Sequence, residues 1–237
     1  MSNIYPGDII SHATMCVVEG VSLQKGMNFR IKGGQTVILM SVRKGAPYAD
    51  HVEEDGQILI YEGHDTPNTK DLKVSPKTLD QPYQTIKGTL TENGKFFQAA
   101  QRLKDGEQAP ELVRVYEKIK DGIWVFNGVF ELMDAWQEEV ESRKVFKFKL
   151  HVTDQTLDDK VQRIEETKDL DHNRLIPTAV KLEVWSRDKG KCVTCESTDN
   201  LHFDHILPYS KGGTSLKSNN IQLLCARHNL QKSANII

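Results

Sequence analysis

The chain has 237 residues, of which 38% are hydrophobic and 27% are charged, and its formal net charge at pH 7 is −2. This composition is typical of a soluble globular protein and excludes a chain that is mainly disordered. No apolar stretch approaches the roughly 18 residues of a membrane helix, and the N-terminus lacks the basic and apolar regions of a signal peptide. We therefore expect a cytoplasmic protein without a membrane partner.

The first 150 residues alternate short β-rich runs with turn signals. The runs lie at 36–42, 57–63, 112–119, 123–136 and 144–152. Asp121-Gly122 predicts a hairpin turn between two of them, because glycine adopts positive φ at little cost. Hydrophobic residues at helical spacing predict a helix over about 95–104. We expect an α+β domain over residues 1–150, built on a strongly bent sheet.

The next segment differs in charge and in composition. Residues 151–173 carry 3 basic against 7 acidic side chains and few large apolar ones. Leu157, Val161 and Ile164 still fall at i, i+4 and i+7, which predicts a short amphipathic helix within a linker. Residues 174–237 carry 9 basic against 5 acidic side chains, so the C-terminal domain is the basic end of the chain.

Two pairs of metal-ligating residues lie in this C-terminal domain. Cys192 and Cys195 form a C-x-x-C pair, and Cys225 and His228 form a second pair with the same spacing. Two such knuckles that converge provide the tetrahedral thiolate and imidazole ligands that structural Zn²⁺ prefers. We expect this zinc to replace part of the hydrophobic core that so short a domain cannot build.

The residues between and after the knuckles carry a recognisable pattern. It consists of the strand-like His202-Phe203-Asp204-His205, the stretch from Asn219 to Leu224, and the helix-like end that contains His228-Asn229-x-x-Lys232. Over roughly 182–233 the chain resembles HNH nucleases of the ββα-metal type. The resemblance implies a small zinc-stabilised ββα-metal domain that hydrolyses DNA.

Hydrolysis of a phosphodiester explains the residue types independently. His205 is the candidate general base that activates water, because the unperturbed pKa of an imidazole lies near neutral pH. The resemblance implies that the strand bends at Asp204, which then binds a hard divalent cation together with Asn229. It also implies that Asn220 positions the loop that carries the base. Lys232 is a candidate phosphate contact.

The identity of the catalytic cation stays open at this stage. Many relatives have His where this chain has Asn229, which is a neutral carbonyl ligand, so this residue does not define the cation. We expect Mg²⁺ or Mn²⁺, with Co²⁺ or Ni²⁺ as alternatives. His202 shares a strand face with Asp204, but a structural or solvent-facing role is as consistent with the pattern, and we leave it outside the catalytic set.

The order of motifs in the first domain resembles SRA domains, which flip a modified cytosine out of duplex DNA. The motifs are Ala46 to Val52, the Gly56 turn, Tyr61-Glu62-Gly63, Leu90 to Asn93, Val113 to Val115 and Trp124 to Phe130. The resemblance implies that Tyr48 and Tyr61 are the two aromatic walls that stack on the flipped base. Strict spacing assigns the polar reader to His51, whereas Asp50 has the better chemistry for accepting a hydrogen bond from cytosine N4.

These features predict a modification-dependent restriction endonuclease for double-stranded DNA that contains 5-methylcytosine or 5-hydroxymethylcytosine. One HNH site cuts one strand per engagement, so we also expect a homodimer, with the linker helix or an exposed strand edge as its contact. Two other classes fit parts of the pattern. One is a non-catalytic, zinc-stabilised reader of modified DNA, and the other is a nicking or homing-type nuclease that reads unmodified sequence.

Overall fold

The structure is a computed structural model that describes residues 4–43, 45–70, 72–153, 175–207 and 212–234. Two units are evident in this part of the chain, an eight-stranded sheet unit and a smaller unit with a two-stranded sheet. The α+β prediction is confirmed. The predicted linker helix at 157–164 lies outside the described residues, so its contribution to a dimer stays a prediction.

Ten strands and four α-helices make up most of the regular structure of the described residues. The strands are β1 (Ile9–Ile10), β2 (Met27–Asn28), β3 (Thr36–Met40), β4 (His51–Glu53), β5 (Ile58–Glu62), β6 (Glu111–Lys120), β7 (Ile123–Val140), β8 (Arg143–Thr153), β9 (Leu201–His205) and β10 (Ile221–Cys225). The helices are α1 (His12–Glu19), α2 (Glu92–Lys104), α3 (Thr178–Arg187) and α4 (Ala226–Ala234).

The large sheet has the strand order β2-β3-β6-β7-β8-β5-β4, and β1 pairs separately with β7. Strands β3 and β6 are parallel, and the other pairs are antiparallel. The predicted hairpin joins β6 to β7 through Gly122, whose φ of +77° is a conformation that favours glycine. Register shifts interrupt the ladders of β7, and such irregularities increase twist and bend a sheet.

Helix α2 covers one face of this sheet. Its N-cap is Thr91, whose side chain accepts a hydrogen bond from the Gly94 N–H at 3.2 Å. The buried side of the helix, which includes Phe96 and Ala100, packs into a core cluster with β3, β5, β6, β7 and β8. The sheet unit therefore has a large apolar core of its own.

The smaller unit shares part of its core with the large sheet. Ile119 of β6 and Val125 of β7 belong to the same buried cluster as residues of α3, β9 and β10. The N-terminal segment adds backbone pairing, since the Phe203 N–H donates to the Gly7 carbonyl at 3.1 Å. The two units are thus packed together through a common apolar layer.

Candidate nuclease site and base-binding region

The two predicted knuckles converge in the smaller unit. The ligand atoms of Cys192, Cys195, Cys225 and His228 all lie within 4.8 Å of one another. His228 Nδ1 lies 3.4 Å from Cys192 Sγ and 3.3 Å from Cys225 Sγ, and the sulfurs of Cys195 and Cys225 are 3.8 Å apart. Ligands of a tetrahedral Zn²⁺ lie about 3.5 to 3.8 Å from one another, given metal–ligand bonds of about 2.1 to 2.3 Å. This Cys₃His cluster can bind zinc.

The surroundings of Cys192 favour the thiolate form of its side chain. Burial opposes ionisation of Cys192, but hydrogen bonds from the backbone of Cys225, Thr194 and Cys195 and from His228 outweigh it and lower the pKa of this thiol to about 6. The thiolate is the form of cysteine that binds a metal. The second knuckle joins the end of β10 to the first turn of α4, so a bound zinc would tie this strand and helix to the loop after α3.

His205 ends β9 and its imidazole is half-buried. Its Nε2 lies 2.9 Å from the hydroxyl oxygen of Ser215, which is itself buried. Burial lowers the pKa of His205, and Lys232 adds to this effect while Asp204 opposes it. The imidazole is therefore neutral at neutral pH, which is the form that a general base requires. Ser215 was not identified in the sequence, because no spacing rule marks a hydroxyl that only orients a base.

Asn220 clamps the loop that follows His205. Its side-chain carbonyl accepts a hydrogen bond from the Leu207 N–H at 2.8 Å, and its amide donates to the carbonyls of Leu207 and Thr214, both at 3.0 Å. Gly213 lies against this clamp, where an added Cβ would meet the Leu207 carbonyl oxygen at 1.8 Å. Only glycine fits there, so Gly213 and Leu207 lie close together beside Asn220.

The backbone at Asp204 and the partner of its carboxylate both differ from what the resemblance implied. The predicted bend is absent, because β9 pairs regularly with β10 through His205, so Asp204 and His205 project to opposite faces. The Asp204 carboxylate accepts hydrogen bonds from Gln222 at 3.0 Å and from the Lys232 ammonium at 2.5 Å. Lys232 also donates to the His205 carbonyl, so its ammonium is bound to protein groups beside the candidate metal ligand.

Asn229 lies in α4, one residue after His228 and three before Lys232, and it is half-buried. With the Asp204 carboxylate it would provide oxygen ligands, which Mg²⁺ and Mn²⁺ prefer. The donor chemistry of the two residues fits a hard divalent cation.

Buried polar contacts fix this unit against the large sheet. Lys181 of α3 donates to Glu117 at 2.6 Å and to the Asn127 carbonyl at 2.7 Å, while Asn127 and Thr178 also donate to Glu117. Burial opposes ionisation of Glu117, but the Lys181 ammonium and these hydrogen bonds outweigh it and lower the pKa of Glu117. His202, whose role the sequence leaves open, pairs with Asp8 at the same boundary.

The four residues assigned to base reading lie around the end of β5. Tyr48 is half-buried in the loop before β4, whereas the ring of Tyr61 is buried in the core with 1% of its surface exposed. Tyr61 was expected to be an open wall on which a base stacks, but its ring packs within the core. Its hydroxyl contacts the ring of His64.

Asp50 and His51 lie in contrasting environments. The carboxylate of Asp50 is buried and accepts backbone N–H groups of Glu62 at 3.0 Å and Ser41 at 3.2 Å. Burial is the main cause that raises the pKa of Asp50 to about 7, although these two hydrogen bonds oppose it. His51 is exposed, and its ring contacts Glu53 and the Ala49 carbonyl.

Comparison with known proteins agrees with the C-terminal geometry. Residues 192–236 match a family model described as HNH endonuclease. No curated protein matches the chain in sequence. Among the described residues, no helix combines the length and the apolar character needed to span a membrane.

Solved structures that are similar to this chain include two of the SUVH5 SRA domain and one of SUVH6. The SUVH5 SRA domain with hemi-methylated CG DNA is 20% identical, with 66% of this chain and 93% of that chain covered and a TM-score of 0.45. The same domain bound to fully hydroxymethylated CG DNA is 19% identical, with 65% and 89% covered and a TM-score of 0.41. Arabidopsis thaliana SUVH6 is 20% identical, with 65% and 27% covered and a TM-score of 0.40.

The family match spans both knuckles, His205, Asn220 and Asn229, which the structure gathers into one small unit. This chain therefore contains an HNH endonuclease domain at residues 192–236.

Proposed function

We propose that this protein is a modification-dependent DNA endonuclease. The sheet unit reads 5-methylcytosine or 5-hydroxymethylcytosine that is flipped out of double-stranded DNA, and the HNH domain hydrolyses phosphodiester bonds nearby. The observation that carries the proposal is the buried packing of the HNH domain against β6 and β7 of the sheet, where Lys181 is bound to Glu117 and Asn127. A nuclease joined to another unit in this way acts where that unit binds.

The contacts and the donor chemistry support the following catalytic roles. His205, oriented by Ser215, removes a proton from the attacking water. Asp204 and Asn229 would hold the divalent cation, Mg²⁺ or Mn²⁺ with Co²⁺ or Ni²⁺ as alternatives, and such an ion would stabilise charge on the phosphate. Asn220 keeps the loop after His205 in place. Zinc in the Cys₃His cluster has a structural role.

In base reading, the half-buried Tyr48 is the main stacking residue and the buried Tyr61 is the second. Asp50 is the candidate that accepts a hydrogen bond from cytosine N4, since each of its oxygens keeps a lone pair beyond its bond to the backbone. His51 is the alternative, because its ring is exposed at the surface. Lys232 would contact a phosphate once a cation at Asp204 displaces its ammonium.

Two further parts of the proposal concern the cell and the assembly. A nuclease that cuts only modified DNA suits restriction of modified foreign genomes in the cytoplasm. Double-strand cleavage by one HNH site per chain favours a homodimer. Sedimentation should give the dimer mass at micromolar concentration, whereas a monomer that accumulates nicked circles before linear product would contradict this assembly.

A cleavage panel tests the main proposal. Duplexes of one sequence with cytosine, 5-methylcytosine or 5-hydroxymethylcytosine are incubated with the protein after removal of loosely bound metal and readdition of Mg²⁺, Mn²⁺, Co²⁺ or Ni²⁺. We expect cleavage of at least one modified duplex, with the unmodified duplex intact, and only when a divalent ion is added. Equal cleavage of all three duplexes would contradict modification dependence.

The ion pair between Lys232 and Asp204 supports a second candidate function. An ammonium held at 2.5 Å from the carboxylate occupies one side of the candidate cation ligand. If this pair persists with every ion, the protein is a zinc-stabilised reader that binds modified DNA without cutting it. The same panel separates the two functions, because the reader would retain selective binding and show no cleavage.

A further inference from the structure

We propose that His64 is a placeholder residue, whose imidazole fills the base-binding space in the DNA-free protein and leaves it when a flipped base enters. This inference rests on the proposed function, because it assigns the space beside Tyr48 to a base. It adds a residue that no sequence motif assigned.

Both tyrosines that the SRA resemblance selects contact the ring of His64. The rings of Tyr48 and His64 are stacked, with centroids 4.9 Å apart and planes inclined by 12°. The ring of Tyr61 lies 6.1 Å from His64 at 44°, and its hydroxyl is 2.9 Å from His64 Nε2. His64 thus lies between the two residues with the planar stacking on Tyr48 that a nucleobase would adopt.

The space does not admit a base while His64 is there. A flat base held between two parallel rings needs them about 7 Å apart, which is twice the optimal separation of carbon atoms. The centroids of Tyr48 and His64 are only 4.9 Å apart. The region is also closed behind the imidazole, since a Cβ on Gly26 would lie 2.6 Å from His64 Nε2. A base can stack on this face of Tyr48 only after the imidazole moves.

The main chain of His64 is fixed, so the movement is a rotation of the side chain. The buried side chain of Asn93 accepts a hydrogen bond from the His64 N–H and donates to the His64 carbonyl, both at 2.8 Å. Among the described residues, the imidazole has one hydrogen bond, to the Tyr61 hydroxyl, and one stacked partner, the Tyr48 ring. Burial lowers the pKa of His64 to about 4, so the ring is neutral and no ion pair holds it.

Lys77 is the competing occupant and provides a matched control. Its ammonium lies 4.2 Å from the centroid of the Tyr48 ring and 2.9 Å from the Asp65 carboxylate. Unlike His64, it is held by an ion pair and its side chain is 45% exposed. Removal of either residue frees part of Tyr48, but only His64 takes the flat geometry of a base.

The direct test observes the wild-type chain by NMR. The imidazole protons of His64, assigned by their loss in His64→Gln, should carry an upfield ring-current shift from Tyr48 in the free protein, and this shift should disappear in Tyr48→Leu. Saturation with a 5-methylcytosine or 5-hydroxymethylcytosine duplex should remove most of the shift, and an unmodified duplex should not. A shift that persists in a complex with preferred modified DNA would overturn the placeholder role.

Affinity provides an independent test. His64→Ala removes one stacked pair that a base must otherwise displace, so this variant should bind the preferred modified duplex roughly 2- to 10-fold more tightly. Lys77→Ala should not tighten binding. Weaker binding by His64→Ala would identify His64 as a wall of the bound base, and tighter binding by Lys77→Ala alone would identify Lys77 as the occupant; both outcomes overturn the proposal.

The two proposals fail in different ways. If the wild-type protein binds modified and unmodified duplexes equally, the proposed reading function fails and the placeholder role fails with it. If modified DNA is preferred but the His64 signal and the His64→Ala affinity do not change as described, only the placeholder role fails.

Discussion

The sheet unit and the nuclease unit, which is the smaller unit of α3, β9, β10 and α4, are stabilised by different means. The sheet unit encloses a large apolar cluster supplied by β2, β3, β5 to β8 and α2, and every residue in that cluster belongs to this unit. The nuclease unit has one small cluster of its own beside the Cys₃His site, and a second cluster that it shares with Ile119 and Val125 of the sheet. The nuclease unit therefore has less apolar core of its own than the sheet unit, and we expect its stability to depend on the zinc and on the contact with its neighbour.

Loss of a zinc ligand should have the largest effect, because it should destabilise the nuclease unit and not the sheet unit. Cys192→Ser or Cys225→Ser should remove the zinc, expected at about one per chain, and unfold the nuclease unit, because metal binding and folding are coupled in so small a core. The sheet unit should stay folded. Elemental analysis and limited proteolysis check both results.

Cys16→Ser is the matched control, since this cysteine lies in α1 of the sheet unit. It should leave the zinc content unchanged. Wild-type protein that holds no tightly bound metal would contradict the role of the knuckles.

Removal of the candidate base should separate cutting from reading. His205→Ala should lower the cleavage rate of modified DNA by about 10²- to 10⁴-fold, because this imidazole is the proposed general base that takes the proton from water. Binding of modified DNA should not change, since His205 lies in the nuclease unit. Single-turnover cleavage and binding titrations check the two parts, and full activity in the variant would show that another base operates.

The buried ion pair tests how strongly the units are joined. Lys181→Ala leaves the Glu117 carboxylate buried without its counter-charge and should cost about 3 to 5 kcal/mol in the free energy of unfolding, measured by urea denaturation. The double variant Lys181→Met with Glu117→Gln should recover much of this loss, because no buried charge remains.

The exposed pair of Lys191 and Glu196 is the control for this measurement. Lys191→Ala should change the free energy of unfolding by less than about 1 kcal/mol. An effect of Lys181→Ala as small as this would mean that the network does not hold the units together.

The smallest expected effect concerns the reader. Tyr48→Ala should weaken binding of modified DNA by about 1 to 3 kcal/mol, which is the contribution of one base stacked on an aromatic ring. Tyr48→Phe keeps the ring and should bind nearly as well as the wild type. Equal losses in both variants would assign the effect to the hydroxyl, which accepts a hydrogen bond from the Asp65 N–H at 3.4 Å.

The same contrast explains what could be predicted from the sequence. The zinc ligands and the elements around Asp204 and His205 are marked by short, fixed spacings, and the strand at 201–205 and the α4 helix follow from local patterns. The contacts of Tyr48, His64 and Asn93 join residues that are far apart in the chain, so only the folded sheet brings them together. The burial of the Tyr61 ring has the same origin.

Two features of the nuclease unit could not be predicted from the sequence. No motif or spacing in the sequence marks Lys181 as a buried residue, and its burial depends on Glu117, 64 residues away. The regular course of β9 through His205 depends on pairing with β10 and not on the residues of β9 alone. In both cases a partner distant in sequence determines the environment of the residue.

Mapping of the cut positions tests the central claim most directly. A duplex with a single modified cytosine and labelled 5′ ends is cleaved by the wild-type protein, and both strands are resolved at nucleotide resolution. Because the reader and the nuclease share a buried core, the account predicts cuts at one distance from the modified base, and none in the unmodified duplex. Cuts on the unmodified duplex, or cuts spread over more than a helical turn of about 10 base pairs, would contradict it.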